Sequence, residues 1–190
     1  MENYNIAVLV SGGGSNMQAI IDNIKKGTLN NCEIKYVISS REDAFALKRA
    51  EKEGIRSEVV KEQDAIVKTL VENDIDIVVL AGYMKILPKA LIERYEGRII
   101  NIHPSLIPKY CGKGFYGKRV HQAVIDGKET ESGATCHLVD EGVDTGKILI
   151  QEKVEVLPND TADSLAERVL EVEHRILSEG IRKVISGMVR

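Results

Sequence analysis

Short apolar runs alternate with helical patterns along the first hundred residues of this chain, and this alternation constrains the fold more than any other feature. Five runs have the length of β-strands: Ile6–Val10, Cys32–Ser39, Ser57–Val60, Ile75–Leu80 and Arg98–Ile102. Strands that are apolar at successive positions are buried on both faces, as in a sheet that helices cover on both sides. Strict alternation of strand and helix also favours parallel pairing. The sequence therefore predicts an α/β fold with a doubly wound, mostly parallel sheet.

The segments between these runs have helical periodicity or residues typical of helix boundaries. Helices are predicted from Met17 to near Gly27 and over Asp43–Glu53, Asp64–Asn73 and Pro88–Tyr95. Gly54 follows the second of these helices, where glycine commonly ends a helix, and proline suits the first turn of the last one.

The pattern changes after residue 103. Pro104–Gly117 is rich in proline and glycine, which predicts a long functional loop, and a helix is predicted over Lys118–Asp126. Ser132–Val139 and Lys147–Val156 then form two strands with no helix between them, which predicts an antiparallel hairpin at the end of the sheet. Asp160 or Thr161 caps a final helix, whose apolar positions share one face: Leu165, Val169, Val172, Ile176 and Leu177.

Composition narrows the class of protein. A length of 190 residues suits one compact domain, and the apolar runs are far shorter than the roughly 20 residues of a membrane span. The N-terminus lacks the pattern of a signal peptide, and the three cysteines, Cys32, Cys111 and Cys136, lack a CxxC spacing, so a reducing compartment is indicated. A net charge of −3 gives no broad attraction to nucleic acid. We therefore expect a cytoplasmic protein that binds neither membrane nor nucleic acid.

A glycine-rich segment, Ser11-Gly-Gly-Gly-Ser-Asn16, follows the first strand and leads into a helix. In open α/β sheets, ligands bind beyond the carboxyl ends of the strands. Glycines allow close backbone approach, and the free amides of a helix N-terminus favour an anion, so a bound phosphate is indicated. Met17 stands where a dinucleotide fingerprint needs glycine. A plain tight turn remains the alternative.

Two further segments lie at the same predicted edge, one after strand four and one at strand five. The first contains an apolar cluster that fits either ordinary core packing or a surface that binds a flat ring: Tyr83, Met84, Ile86 and Leu87. The residues alone favour core packing. Asn101 and His103 alternate on an extended segment, so their side chains share one face.

Asn101 offers an amide donor for an oxyanion, and His103 can move a proton near neutral pH. A histidine that is only hydrogen-bonded at a strand end is the alternative. A carboxylate from the turn over residues 140–146 could orient His103, although such acids are usually solvated turn formers. His121, His137 and His174 lack metal-ligand spacing, and His137 is interpreted as a packed or supporting residue.

Together these segments resemble the glycinamide ribonucleotide transformylase family. The resemblance rests on five stretches that occur in the expected order: residues 11–16, Leu80-Ala-Gly-Tyr-Met-Lys-Ile-Leu87, Asn101-Ile-His-Pro-Ser-Leu-Ile-Pro108, Gly142-Val-Asp-Thr-Gly146 and Glu173-His174. It runs almost end to end. The resemblance implies a Rossmann-like formyltransferase fold and transfer of the formyl group of 10-formyltetrahydrofolate to the amine of glycinamide ribonucleotide, without a metal.

The resemblance also implies roles for particular residues. Asn101, His103 and Asp144 would be catalytic. The ribonucleotide and its phosphate would contact Gly13, Gly14, Ser15, Asn16 and Glu173. The folate would contact Met84, Lys85, Ile86, Leu87, Asn101, Val139 and Asp140. The whole of 1–190 would be one catalytic domain, with the nucleotide half over 1–100 and the catalytic and folate half over 101–190.

The chain departs from the family pattern in two places. The stretch from Pro104 to His121 is longer than the common form, and Arg119 stands near where a histidine is expected, so no catalytic role is assigned there. The segment around Lys61–Ile66 is short and lacks an arginine that some relatives use near the folate tail.

Several alternatives remain open from the sequence. Methionyl-tRNA formyltransferase and formyltetrahydrofolate deformylase share the catalytic pattern but carry extra domains for which this chain has no room. A non-catalytic nucleotide-binding module would not need Asn101, His103 and Asp144 together. An NADP oxidoreductase is suggested by Ser39-Ser40-Arg41 at the end of the second strand, while Met17 counts against it. The sequence leaves open a monomer or a homodimer.

Overall fold

The computed structural model describes residues 3–188, and all the strands in that part of the chain lie in one seven-stranded sheet. The strands are β1 Tyr4–Val10, β2 Cys32–Ser39, β3 Arg56–Val59, β4 Ile77–Leu80, β5 Ile99–His103, β6 Glu131–Leu138 and β7 Ile148–Glu155. The helices are α1 Ser15–Lys25, α2 Phe45–Lys52, α3 Gln63–Glu72, α4 Lys89–Arg94, α5 Lys118–Asp126 and α6 Ala162–Met188.

The strand order is β3-β2-β1-β4-β5-β6-β7. The first five strands pair in parallel, whereas β6 runs antiparallel to β5 and β7 runs antiparallel to β6. The predicted doubly wound sheet with a C-terminal antiparallel hairpin and a final helix is therefore confirmed. The order reverses at β1 and β4, and such a point opens a crevice at the carboxyl ends of the strands.

Both faces of the sheet are buried. Along β1, Ile6, Val8 and Val10 pack into one apolar cluster, while Ala7 and Leu9 pack into the other. The first cluster includes residues of α1, α2, α5 and α6, and the second includes residues of α3 and α4. This period of two explains why the central strands are apolar at every position.

Several element boundaries differ from the sequence prediction. Helix α1 begins at Ser15 instead of Met17, because Gly14 has φ 73° and ψ 26° and turns the chain directly into the helix. Helix α2 begins at Phe45 instead of Asp43, whose carboxylate is paired with Arg41. Thr161 is the residue that caps α6, since its Oγ1 accepts the Ser164 N–H at 3.2 Å.

Within residues 3–188, no helix combines the length and the apolar character that crossing a membrane requires.

Candidate active site

The loops that follow β1, β2 and β4 are joined at the carboxyl edge of the sheet by the hydroxyl of Ser11. Its Oγ lies 2.6 Å from Ser40 Oγ and accepts the Met84 N–H at 2.9 Å. Ser11 is buried, so these bonds are shielded from water. The glycine-rich segment and the Met84 segment, which the sequence placed at the same edge of the sheet, are thus directly connected.

The three residues expected to be catalytic meet beside this edge. His103, at the end of β5, is buried, and its Nδ1 lies 3.6 Å from Asp144 Oδ2. Its Nε2 lies 2.9 Å from the Tyr110 carbonyl oxygen, to which it donates. Asn101, two residues earlier on the same strand, has its Nδ2 3.4 Å from Asp144 Oδ1. Both nitrogens of His103 therefore face oxygen atoms, one of the Tyr110 carbonyl and one of the Asp144 carboxylate.

Asp144 is held in place by the turn that contains it and by a hydrogen bond from a second loop. It adopts φ 59°, an uncommon conformation for a residue other than glycine, and its Oδ2 accepts the Gly112 N–H at 2.8 Å. Asp140 supports the same turn by accepting the Gly142 N–H at 3.0 Å and the Thr145 hydroxyl at 2.6 Å.

The electrostatic surroundings keep Asp144 ionised. Burial alone would raise the pKa of Asp144, but the neighbouring His137 and His103 rings and the Gly112 N–H together hold that pKa below its ordinary value. Asp144 is therefore a carboxylate at neutral pH, able to fix the orientation of the His103 ring.

His137 joins this cluster from β6, which pairs with β5. Its Nδ1 donates to the Leu138 carbonyl at 2.8 Å. Its Nε2 lies 3.1 Å from Asn101 Nδ2 and 3.6 Å from Asp144 Oδ1. Its interpretation as a packed, supporting residue agrees with these contacts, which fix the Asn101 amide.

A third histidine lies near the cluster. His121, on α5, is buried, and its Nδ1 has no hydrogen-bond partner within the described part of the chain. Burial and the charge of His103 lower the pKa of His121 to about 4. His121 is therefore neutral at physiological pH.

The expected ribonucleotide residues lie at the start of α1. Gly14 precedes the first helical residue, and the first turn contains no acidic side chain. Asn16 donates its Nδ2 to Glu173 Oε2 on α6 at 2.7 Å, and the buried Asn16 Oδ1 has no partner among residues 3–188. The structure thus brings Asn16 and Glu173 together across 157 positions of sequence.

Glu173 is nearly inaccessible, with 8% of its surface exposed. Burial raises the pKa of Glu173 to about 7, although the Asn16 amide opposes the shift. In the unfolded chain the same carboxyl ionises near 4.5. Between these pH values the folded state holds a proton that the unfolded state has lost, so the contribution of Glu173 to stability falls as the pH rises from about 4.5 to about 7 and then levels off.

We expect Glu173→Gln to remove this loss of stability. The difference between the two pKa values corresponds to roughly 3 kcal/mol at pH 8, as an order of magnitude. Urea unfolding at pH 5 and pH 8 measures it: the free energy of unfolding of the variant relative to wild type should be larger at pH 8. Glu171→Gln, at an exposed position of the same helix, is the control. An equal difference at both pH values would contradict the prediction.

The expected folate residues divide into exposed and buried groups. Met84 and Ile86 are exposed over 51% and 72% of their surface, whereas Leu87 is buried in the second apolar cluster. Val139 packs against that cluster, and Asp140 is exposed in the turn. Leu87 therefore has the core role that the residues alone suggested, and the folate contacts remain predictions.

Three features of the site were not foreseen from the sequence. Ser11 joins the loops, the Tyr110 carbonyl and the Gly112 N–H support His103 and Asp144, and Arg49 of α2 donates its Nε to the Gly13 carbonyl at 2.9 Å. Backbone partners leave no sequence signal, and Arg49 lies 36 positions from the glycine it contacts.

One alternative loses support from the geometry. Arg41 was the residue that suggested binding of an NADP phosphate. Its Nε and Nη2 donate hydrogen bonds to the Asp43 carboxylate at 2.8 and 2.6 Å. Its guanidinium is thus occupied by a carboxylate. Within residues 3–188, no group of three or more His, Cys, Asp or Glu side chains is arranged to hold a metal ion.

The chain is thus an α/β protein with a doubly wound sheet, in which Asn101, His103 and Asp144 lie together at the carboxyl edge, beside a glycine-led helix. The model of the family described as "Formyl transferase" matches residues 4–181, so the chain belongs to the formyl transferase family. This match confirms the family resemblance drawn from the sequence.

Curated relatives carry names from purine biosynthesis. The chain is 43% identical over 183 residues to "Phosphoribosylglycinamide formyltransferase, chloroplastic" of Vigna unguiculata. The aligned region covers 92% of this chain and 58% of that protein. It is 40% identical over 195 residues to "Trifunctional purine biosynthetic protein adenosine-3" of Chironomus tentans. That aligned region covers 97% of this chain and 14% of the relative. The chain thus spans only part of the length of these relatives.

Two solved structures of formyltransferases match over most of their length. The phosphoribosylglycinamide formyltransferase of Brucella melitensis superposes with a TM-score of 0.88 at 40% identity, covering 100% of this chain and 99% of that one. Glycinamide ribonucleotide transformylase 1 of Symbiobacterium toebii gives a TM-score of 0.91 at 34% identity, covering 97% and 89%. A formyltetrahydrofolate deformylase of Pseudomonas syringae gives 0.87 at 25% identity, but the chain covers only 62% of it.

Proposed function

We propose that this chain transfers the formyl group of 10-formyltetrahydrofolate to the amine of glycinamide ribonucleotide. The observation that carries the proposal is the contact of Asn101 and His103 with one ionised carboxylate, Asp144, at the sheet edge that also holds the start of α1. The names of the relatives that match end to end support this choice of substrates.

The reaction follows from this geometry. The substrate amine attacks the formyl carbon, so a carbon–nitrogen bond forms and the formyl oxygen becomes an oxyanion. The Asn101 amide and a protonated His103 hold that oxyanion. The bond from the formyl carbon to the folate nitrogen then breaks, and its electron pair stays on that nitrogen. The proton lost by the amine passes to it with the help of the His103–Asp144 pair, directly or through water.

Substrate binding must redirect hydrogens that are already in use. Asn101 Nδ2 faces His137 and Asp144, and His103 Nε2 donates to the Tyr110 carbonyl. Catalytic hydrogen bonds often tighten or form only when substrate is bound. We infer that the hydrogen bond from His103 Nε2 to the Tyr110 carbonyl breaks during turnover, so that Nε2 donates to the oxyanion instead.

The phosphate of the ribonucleotide would bind at the start of α1, to the free amides of Gly13, Gly14, Ser15 and Asn16. An anion is favoured there because the first turn of the helix has unpaired N–H groups and a positive dipole end. The Asn16–Glu173 pair, with the unpartnered Asn16 Oδ1, would receive polar groups of the glycinamide ribonucleotide.

The folate would lie against Met84, Lys85, Ile86, Leu87, Asn101, Val139 and Asp140. Met84 and Ile86 are exposed, and covering them with a flat ring would stabilise the complex by about 25 cal/mol for each Å² of apolar surface removed from water. Under this proposal, the nucleotide half over 1–100 and the catalytic and folate half over 101–190 form one catalytic domain. The protein would act in the cytoplasm as a monomer or a homodimer, on small molecules and without a metal.

A direct assay tests the proposal. Purified protein is incubated with 10-formyltetrahydrofolate, with and without glycinamide ribonucleotide, and release of tetrahydrofolate and formate is measured. We expect tetrahydrofolate release that depends on the acceptor, without formate. Formate release without acceptor would indicate a deformylase instead. Ribonucleotide binding with no consumption of the formyl donor would indicate a binding module.

A further inference from the structure

Helix α2 holds two successive carbonyl groups of the glycine-rich segment. The Ala46 N–H donates to the Gly12 carbonyl at 3.0 Å, and Arg49 Nε donates to the Gly13 carbonyl at 2.9 Å. Ala46 and Arg49 are one turn apart on α2. The segment between β1 and α1 is therefore fixed from outside by a neighbouring helix, through one backbone donor and one side-chain donor.

These two hydrogen bonds set the direction of two amide hydrogens. In a trans peptide the C=O and the following N–H point in opposite directions. Since the carbonyls of Gly12 and Gly13 point toward α2, the N–H groups of Gly13 and Gly14 point away from it. Gly14 then turns into the left-handed region, with φ 73°. Successive N–H groups beside such a turn form a concavity that binds anions.

The guanidinium of Arg49 is itself held in place. Its Nη1 donates to Gln18 Oε1 at 3.3 Å, and its Cζ lies 5.2 Å from the centroid of the Phe45 ring. In the part of the chain that the structure describes, no acidic side chain forms an ion pair with Arg49. A fixed and uncompensated positive charge thus lies beside the glycine-rich segment, which has no lysine of its own.

We propose that Arg49 is a positioning residue for the ribonucleotide phosphate. It holds the Gly13 carbonyl so that the Gly14 N–H is presented to the phosphate before binding, and its charge raises the affinity of the segment for an anion. It acts through the backbone of Gly13 and Gly14 and not on the reacting atoms. The inference rests on the proposed function, because that function makes the segment a phosphate site.

Two variants separate the hydrogen bond from the charge. Arg49→Met removes both, and Arg49→Lys keeps the charge but loses the planar group that donates through Nε. A hydrogen bond from a charged group is worth a factor of about 10 to 100 in affinity. We expect Arg49→Met to raise the KM for glycinamide ribonucleotide about 10-fold or more, with kcat and the KM for the folate within about threefold of wild type. The KM of Arg49→Lys for glycinamide ribonucleotide should lie between the values for wild type and Arg49→Met.

The unphosphorylated glycinamide riboside provides the readout that a merely structural role would not produce. Its kcat/KM should be equal in wild type and Arg49→Met, because it lacks the phosphate that the segment binds. Lys48→Met is the matched control, since Lys48 also lies over the Phe45 ring, at 5.9 Å, but donates no hydrogen bond to the glycine-rich segment. Equal losses on the two acceptors, or an unchanged KM for the ribonucleotide, would overturn the inference.

Calorimetric titration with ribose 5-phosphate keeps this test separate from that of the proposed function. Weaker binding of ribose 5-phosphate by both Arg49 variants, in a protein that does not use the formyl donor, would support the role of Arg49 and reject the formyl transfer. Formyl transfer by wild type with unchanged ribose 5-phosphate affinity in both variants would reject the role of Arg49 alone. If Arg49→Met fails to fold, the Arg49→Lys affinity decides the outcome.

Discussion

Replacing Asn101 or His103 with alanine is expected to lower kcat by about 100- to 1,000-fold, which is the usual cost of removing one preorganised oxyanion donor. Both side chains contact Asp144, at 3.4 and 3.6 Å, at the edge of the sheet where the formyl group is proposed to react. Neither contacts the start of α1, so the affinity for glycinamide ribonucleotide should stay within a few-fold of wild type. Steady-state turnover and calorimetric titration of the ribonucleotide measure the two quantities.

The control for this prediction is Asn30→Ala, in the exposed connection between α1 and β2 at the opposite edge of the sheet. It should turn over like wild type. Near-normal turnover by Asn101→Ala or His103→Ala, in protein that is folded by circular dichroism, would reject the assignment of that residue as an oxyanion donor.

Gly14→Ala is expected to destabilise the protein and to abolish binding of the ribonucleotide. Gly14 has φ 73°, and a Cβ added there would lie 2.6 Å from the Cβ of Ala46 on α2. The left-handed conformation costs about 1–2 kcal/mol for a residue with a side chain, and an overpacked contact typically costs 1–3 kcal/mol more. We therefore expect a loss of about 2–5 kcal/mol in the free energy of unfolding, because α1 and α2 must separate to admit the methyl group.

Urea unfolding compares Gly14→Ala with Gly12→Ala, whose added Cβ would have no atom within 4 Å. The Gly12 variant should lose much less stability. If the two variants are equally stable, or if Gly14→Ala still binds the ribonucleotide with wild-type affinity, then the close approach of α1 to α2 does not shape the phosphate site.

The sheet could be predicted from the sequence because burial on both faces leaves a direct signal. Each central strand is apolar at successive positions, and β1 shows why: Ile6 and Val8 face one cluster while Ala7 and Leu9 face the other. The helix boundaries were predicted less well. Gly14 determines where α1 begins through a backbone conformation that the sequence leaves open, since three glycines precede the helix.

The site was predictable only where side chains carry the chemistry. Asn101 and His103 lie two residues apart on one strand, so the period of the strand brings them together. Glu173 and Arg49 reach the site from distant helices, and the Tyr110 carbonyl supports His103 through the backbone. Such contacts depend on how the helices pack on the sheet, which no local pattern specifies.

The fate of the formyl carbon distinguishes formyl transfer to the ribonucleotide from the alternative activities. The protein is mixed in a single turnover with 10-formyltetrahydrofolate labelled with ¹³C in the formyl group and an equal amount of glycinamide ribonucleotide, and the label is followed by NMR. We expect the label to move from the folate to the amide of the ribonucleotide, with no free formate, and this transfer to be about 100- to 1,000-fold slower with His103→Ala. Label in formate, or label that never leaves the folate in the wild-type reaction, would contradict this expectation.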